Sequence, residues 1–351
     1  MKFYGSTIKT FLILILFIGV AVGISGSVYA QDVKPLPVPE EDDEIIEIDT
    51  EVVNVLFTAQ DRNRRLLTDL KQGAVRLIED GEVQPMAAFA RKVDLPLSLT
   101  ILIDTSASQE RTLPEEKEAA KSFLESVVRA SKDEVSIVSF TGEATLEQGM
   151  TSNMARLRRA IDRVQFIPPS GYLGGGVVVG GTPPISGSNR ATVGSTAIWD
   201  AVWITSEEIL GPAPEGTRRA IILLTDGVNT YGMKELKDAQ AAALKSEAVI
   251  YSIGIGDNYY DGVNKGALKK ISENTGGRAF FPRDERELRD AFDQIQEEMR
   301  SQYLIAYEPV NQKRDGTYRK IEIQIVNSDL SKQKVKLTHR EGYFAKTEGN
   351  K

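Results

Sequence analysis

Leu97-Ser98-Leu99-Thr100-Ile101-Leu102-Ile103-Asp104-Thr105-Ser106-Ala107-Ser108 is the stretch that decides the fold. The apolar run Leu97–Ile103 reads as a buried strand, of the kind found in parallel sheets covered on both faces. It stops at a carboxylate, Asp104, and hydroxyls follow at every second position, Ser106 and Ser108. Open α/β sheets place ligands outside the carboxyl ends of their strands. A cluster of hard oxygen donors at such an end suits Mg²⁺, Mn²⁺ or Ca²⁺ better than softer metals.

On either side of this stretch, from Leu95 to about Arg300, strand and helix patterns alternate. That predicts an α/β fold: a doubly wound, mostly parallel sheet with helices on both faces. Thr112-Leu113-Pro114-Glu115 has the form of a capping box. After it Ala119, Ala120, Phe123, Leu124, Val127 and Val128 recur at helical spacing. Strands are expected at Val135–Phe140, Arg219–Thr225, Val249–Ile255 and Arg278–Phe281, with an antiparallel edge hairpin through Ala144–Gln148. Helices are expected at Met154–Val164, Ala197–Leu210, Lys234–Glu247, Lys265–Asn274 and Glu285–Arg300.

The spacing Asp104-x-Ser106-x-Ser108 resembles the metal-ion-dependent adhesion site of von Willebrand factor type A domains. Two later segments resemble the remaining elements of that site. Ser195-Thr196-Ala197-Ile198-Trp199-Asp200-Ala201 is similar to the second, making Thr196 the matching ligand. Arg219–Gly227, a buried strand ending in Thr225-Asp226-Gly227, is similar to the third, with Asp226 as the matching carboxylate. The resemblance implies that Ser106, Ser108 and Thr196 touch the metal directly, and Asp104 and Asp226 mostly through water. Neutral hydroxyls leave the charge of a divalent cation poorly offset, so an Asp or Glu of a partner could complete its shell. Each residue also has a duller reading. Ser106, Ser108 or Thr196 could cap the helix that follows, Asp226-Gly227 is a common turn pair, and Asp104 could be a buried acceptor.

The ends of the chain add β-rich segments, 51–94 before the α/β domain (95–300) and 301–346 after it. Val52–Thr58, Val75–Ile78 and Met86–Ala90 are strand-like, as are Tyr303–Tyr307, Tyr318–Val326 and Lys334–Thr338. Each segment is too small to bury a core alone, which predicts that they meet in one smaller β-rich domain. Glu79–Lys92, Ser301–Pro309, Asp315–Ile325 and His339–Ala345 resemble segments that flank the A domain in bacterial VWFA-related proteins.

The 351 residues are 41% hydrophobic and 26% charged, an ordinary globular composition for more than one core. Residues 1–30 read as a secretory signal peptide: Lys2 and Lys9, the apolar Phe11–Ile24, and a small-residue cleavage site at Val28-Tyr29-Ala30. An uncleaved segment would instead be a membrane anchor. With no cysteine in the chain, disulfides, thiol nucleophiles, thiolate metal sites and a lipid-modified cysteine are all excluded. Residues 31–50 carry eight acids against Lys34, together with Pro35, Pro37 and Pro39, and read as a solvated linker. Most of the net charge of −7 lies there, and the folded part has no basic excess for binding nucleic acid.

Ser170–Gly194 is a 25-residue stretch with eight glycines just before Thr196, placed to sit over the site or to be a passive insertion. Asp257–Gly262 lacks the donor an EF-hand needs at its third position and reads as a polar loop. The single histidine, His339, is far in sequence from every cluster, so a Ser-His-Asp triad is not expected. The chain also lacks G-x-S-x-G and phosphate-cradle motifs. These readings converge on a non-enzymatic, secreted or periplasmic binding protein that captures an Asp or Glu of a protein or envelope ligand through a divalent cation. The alternatives are a Mg²⁺-dependent phosphohydrolase and a scaffold with a vestigial metal site.

Overall fold

The computed structural model describes residues 52–91, 94–168, 195–256 and 262–347. The expected signal peptide (1–30), linker (31–50) and glycine-rich loop Ser170–Gly194 lie outside them, as does all of the Asp257–Gly262 loop except Gly262. The first strands are β1 (Val53–Gln60), β2 (Val75–Glu79), β3 (Glu82–Gln84) and β4 (Ala88–Arg91). The α/β part then runs β5 (Leu97–Asp104), α1 (Leu113–Val127), β6 (Glu134–Phe140), β7 (Ala144–Thr151), α2 (Met154–Arg163) and α3 (Ile198–Ile204). It continues with β8 (Arg218–Thr225), α4 (Leu236–Lys245), β9 (Ala248–Gly254), α5 (Lys265–Asn274), β10 (Ala279–Phe280) and α6 (Glu285–Arg300). Last come β11 (Tyr303–Tyr307), β12 (Tyr318–Ile325), α7 (Ser328–Lys332), β13 (Lys336–His339) and β14 (Gly342–Phe344).

The central sheet has the order β10-β9-β8-β5-β6-β7 and is parallel except for the β6–β7 hairpin at its edge. Every residue of β5 is buried, because side chains on both of its faces meet helices. Leu99, Ile101 and Ile103 pack with α1, α2 and α6, where Phe123 meets Phe292 at 5.0 Å. Leu102 faces the other way, into the layer of α3, α4 and α5. From β5 the chain proceeds to β6 on one side and later to β8 on the other. The crevice where the winding reverses therefore opens between the carboxyl ends of β5 and β8.

Two local readings are corrected. Thr112 precedes α1 but makes no capping bond; its hydroxyl donates to Gln109 Oε1 at 3.0 Å instead. A capping box forms at α4, where Glu235 and Asp238 bond each other's backbone N–H groups. The helix expected over Ala197–Leu210 is α3 followed by a π-helical turn, Thr205–Leu210.

The β segments from the two ends interleave. β1 pairs antiparallel with β11 and β13, and β11 with β4; β12 pairs with β2 and β14, and β2 with β3. The two four-stranded sheets share one core, in which Phe57 stacks on Tyr303 at 5.1 Å. Within it the Glu79 carboxyl is buried, with Oε2 accepting from Tyr307 at 2.6 Å and from Tyr343 at 3.0 Å. This bond joins β2, from before the α/β part, to β11, from after it. Tyr307→Phe should destabilise the fold by about 1–3 kcal/mol, since it leaves a buried acceptor short of a donor. Urea unfolding is the measurement, and an unchanged midpoint would show that the bond carries no weight.

Candidate functional site

Register brings the first and last site residues together. β5 and β8 run side by side with Ile103 opposite Leu224, so Asp104 and Thr225 end level with each other. The Asp104 carboxylate, fully buried, accepts from the Ser106 N–H at 2.9 Å and from the Thr225 hydroxyl at 2.6 Å. Thr225 also accepts from the Gly227 N–H at 3.1 Å, and this shapes the turn that carries Asp226. Asp226 is buried too, with Oδ1 accepting from the Val228 N–H at 2.9 Å.

Ser106 and Ser108 follow Asp104 through one tight turn. Their hydroxyl oxygens lie 3.2 Å apart, Ser106 buried and Ser108 half-buried. Neither caps a helix: Ser106 leads the turn Ala107–Gln109 without a side-chain capping bond, and the residue before α1 is Thr112. Thr196 is buried and does not cap α3, whose leading residue is Ala197. Its backbone is fastened instead to the loop after Asp226: its carbonyl accepts from Thr230 and Tyr231, and its N–H donates to the Thr230 hydroxyl at 2.8 Å. The Ala197 N–H donates to the Thr141 carbonyl just after β6. Asp104, Ser106, Ser108, Thr196 and Asp226 thus share the carboxyl edge of the sheet. Asp104 and Asp226 do double as a buried acceptor and a turn residue, whereas the capping readings of the three hydroxyl residues are not what the structure contains.

Three further residues shape this edge. Thr225 holds Asp104, and only the β5–β8 register exposes that link. Asp200 accepts from the N–H groups of Met233 and Lys234, pinning the loop beyond Asp226 against α3. Gly232 allows this approach with φ +123°, because a Cβ there would lie 1.9 Å from Asp200 Oδ2. The third is Glu116 on α1, fully buried, with neither carboxyl oxygen hydrogen-bonded. Its position has a sequence signal: it lies three and four residues before Ala119 and Ala120, on the apolar stripe.

The edge is short of positive charge. Burial pushes the Asp104 carboxyl up to about 7, with the charge of Asp226 adding to the effect and the Ser106 and Thr225 bonds opposing it. Burial likewise pushes Glu116 up to about 8. The Thr112 hydroxyl, which also donates to Gln109, opposes that rise, and the smaller effects of the Asp104 and Asp226 charges add to it. Among the described residues neither Asp104 nor Asp226 forms an ion pair. Nor do three acidic, His or Cys side chains come together there as a ligand group, so hydroxyls would have to complete the protein shell of any cation. Two carboxylates and adjacent hydroxyls fit a hard divalent ion in donor type and in sign of charge.

Two family models, both described as von Willebrand factor type A domain, match this chain, one over residues 99–179 and the other over residues 185–294. No curated protein matches the sequence. Among solved structures, proximal thread matrix protein 1 from the mussel byssus is similar at 21% identity and a TM-score of 0.46, covering 63% of this chain and 51% of that one. A form of that protein with a zinc-occupied MIDAS motif is similar at 21% identity and a TM-score of 0.45, covering 63% of this chain and 49% of its own. This chain spans about half the length of these mussel proteins. An aerotolerance-related membrane protein from Bacteroides fragilis is similar at 16% identity and a TM-score of 0.41, covering 58% of this chain and all of that one.

Glu116 makes the metal-free fold sensitive to pH. A carboxyl whose pKa rises on folding, here from 4.5 to about 8, contributes stability below the lower value and loses it as pH climbs through the higher one. Metal-free protein should therefore weaken between those limits, and Glu116→Gln should flatten the loss. At about pH 9 the variant should be the more stable by roughly 1–3 kcal/mol. Thermal unfolding in chelator across this range is the measurement, and parallel profiles for the two proteins would refute the assignment.

Proposed function

Because the chain carries a von Willebrand factor type A domain, we propose that it is an exported binding protein that captures a carboxylate of a protein or cell-envelope ligand. Type A domains in general serve adhesion and protein binding. The observation that carries the reading is the pair of buried strand-end carboxyls, Asp104 and Asp226, without a basic partner among the described residues and set beside the Ser106 and Ser108 hydroxyls. Asp104, Ser106, Ser108, Thr196 and Asp226 would hold the ion, Mg²⁺ in the first instance with Mn²⁺ or Ca²⁺ as substitutes. When bound, such a cation supplies an electrophilic centre able to accept an oxygen from outside the protein.

The chain's own contribution is positioning. Thr225 fixes the Asp104 carboxylate, the Ser106–Ser108 turn aligns two hydroxyls, and the Thr230 and Tyr231 N–H groups fix Thr196 against the Asp226 loop. Export rests on the reading of residues 1–30. Among the described residues no helix is long and apolar enough to cross a membrane. Cytoplasmic nucleic acid is not a suitable partner, because the part of the chain beyond the acidic linker has no basic excess.

Calorimetry with Mg²⁺ and Mn²⁺ should give one saturable site in the wild type, weakened at least about tenfold in Asp104→Ala. The variant should keep its fold, since the core strands do not depend on the ion. Capture from envelope extract should be lost with chelator and in Thr196→Ala, and lost again when the partner's carboxylates become amides. Equal metal binding by wild type and Asp104→Ala would remove the site. Metal-dependent phosphate-ester hydrolysis that disappears in Asp104→Ala would replace capture with catalysis.

A further inference from the structure

Two of the five candidate ligands sit on segments that grip each other. Thr196 lies just before α3, and Asp226 begins the loop that runs from β8 to α4. The first turn of a helix has N–H groups with no partner inside the helix, and Ala197, ahead of α3, supplies no capping side chain. Asn229 supplies one from the facing loop. Its Oδ1 accepts from the Trp199 N–H at 3.3 Å, while its Nδ2 donates to the Tyr231 carbonyl at 2.8 Å. α3 holds the loop in return. Both oxygens of Asp200 accept from the Met233 N–H at 3.0 Å, and Oδ2 also accepts from the Lys234 N–H at 3.3 Å. Further along α3, the Trp203 ring lies 4.0 Å from the Lys234 ammonium. The Thr230 and Tyr231 N–H groups donate to the Thr196 carbonyl at 3.0 and 3.2 Å. The loop is thus fastened to α3 and its lead-in at several points between residues 229 and 234.

We infer that Asn229 and Asp200 are positioning residues that make the candidate cation site selective for Mg²⁺ over Ca²⁺. The inference rests on the cation reading above and extends it to the choice of ion. Both residues act through Thr196 and Asp226. They close the clamp with protein groups alone, so the separation of those two ligands is held without help from an ion. The other side of the site is fixed as well. Thr225 holds Asp104, and the fully buried Gln109 holds the turn that carries Ser106 and Ser108. Its backbone N–H donates to the Ser106 carbonyl at 3.0 Å, and its Nε2 to the Ile255 carbonyl at 3.1 Å. Rigidity of this kind discriminates between the two ions. Mg²⁺ takes six oxygens at about 2.0–2.1 Å in strict geometry, whereas Ca²⁺ takes roughly six to eight at about 2.3–2.6 Å in adaptable sites. Swelling to the longer bonds of Ca²⁺ would stretch the clamp. Releasing the clamp removes that penalty and, with it, the good fit to Mg²⁺. Groups that orient a metal's ligands commonly change its affinity by about 10–100-fold.

The full-length chain should be titrated separately with Mg²⁺ and with Ca²⁺ by calorimetry, and the wild type should bind Mg²⁺ more tightly. Asn229→Ala and Asp200→Ala should each weaken Mg²⁺ by about tenfold and Ca²⁺ much less, so that the preference shrinks. Asp200→Asn keeps an oxygen for the Met233 N–H but not the charge, and should recover most of the preference. Hydrogen exchange in chelator gives a readout that needs no ion. The Thr230, Tyr231 and Met233 amides should be protected in the wild type, and the Met233 amide should lose protection in Asp200→Ala. If Asp200→Ala does not fold, Asn229→Ala and Asp200→Asn decide. An unchanged preference in the variants would overturn the inference. So would an Asp200→Asn protein that matches Asp200→Ala, since charge alone would then account for the loss, or protection that appears only with Mg²⁺, since the ion would then build the clamp. A wild type that protects these amides but binds neither ion would overturn the cation reading, and this inference with it; one that binds both ions equally would overturn this inference alone.

Discussion

The parallel pairing of β5 with β8 is the constraint on which the rest of the molecule turns. Two strands buried on both faces, both ending in acidic residues, bring Asp104 and Asp226 to one dry edge of the sheet. Like charges in such a setting repel and resist ionisation. The surrounding architecture works to hold them there nonetheless: Thr225 bonds Asp104 across the strand pair, and Val228 bonds Asp226 within its own turn. The helix layers on the two faces exclude water from the strands and so sharpen the repulsion. A cohesive sheet and an electrostatically unsatisfied edge are therefore one arrangement seen from two ends.

The opposite edge carries the reverse imbalance. Arginines gather where the β-rich part meets the sheet, with Glu247 shared between two of them. The α/β part is thus acidic and buried at one pole, basic and buried at the other. Both poles lie on loops and strand ends, where backbone geometry is free to place side chains that a strand interior could not accommodate.

Much of this was legible in the residues. The α/β class follows from the apolar runs Leu97–Ile103 and Arg219–Leu224 and from the helical spacing after Leu113, because burial on two faces leaves a composition signature. Asp104, Ser106 and Ser108 stood out at the end of such a run, whereas Thr196 and Asp226 were picked out by resemblance to the later elements of the type A site. What was not readable depends on partners distant in sequence. Thr225 looks like the end of a strand until the register sets it against Asp104. Thr112 has the pattern of a cap, but its backbone is already helical, at φ −92° and ψ −24°, rather than extended as a capping residue needs. β3 and β14 are only three residues each and carry no periodicity to detect. Arg218 and Arg219 read simply as the start of a strand, since nothing local announces that Arg340 will face them.

The interleaving of β1 with β11 has a temporal side. Val53 lies opposite Tyr307, so the first sheet cannot close until almost the whole chain exists. At ordinary rates of synthesis that delay is on the order of ten to fifty seconds. Throughout it, β1 is an apolar strand with both edges unpaired, the form of chain most prone to pairing with a neighbour. The α/β part, whose contacts fall between 95 and 300, has no such wait and can collapse first. Once it has done so, it holds the β segments that flank it near each other and shortens the search that the β-rich part must complete.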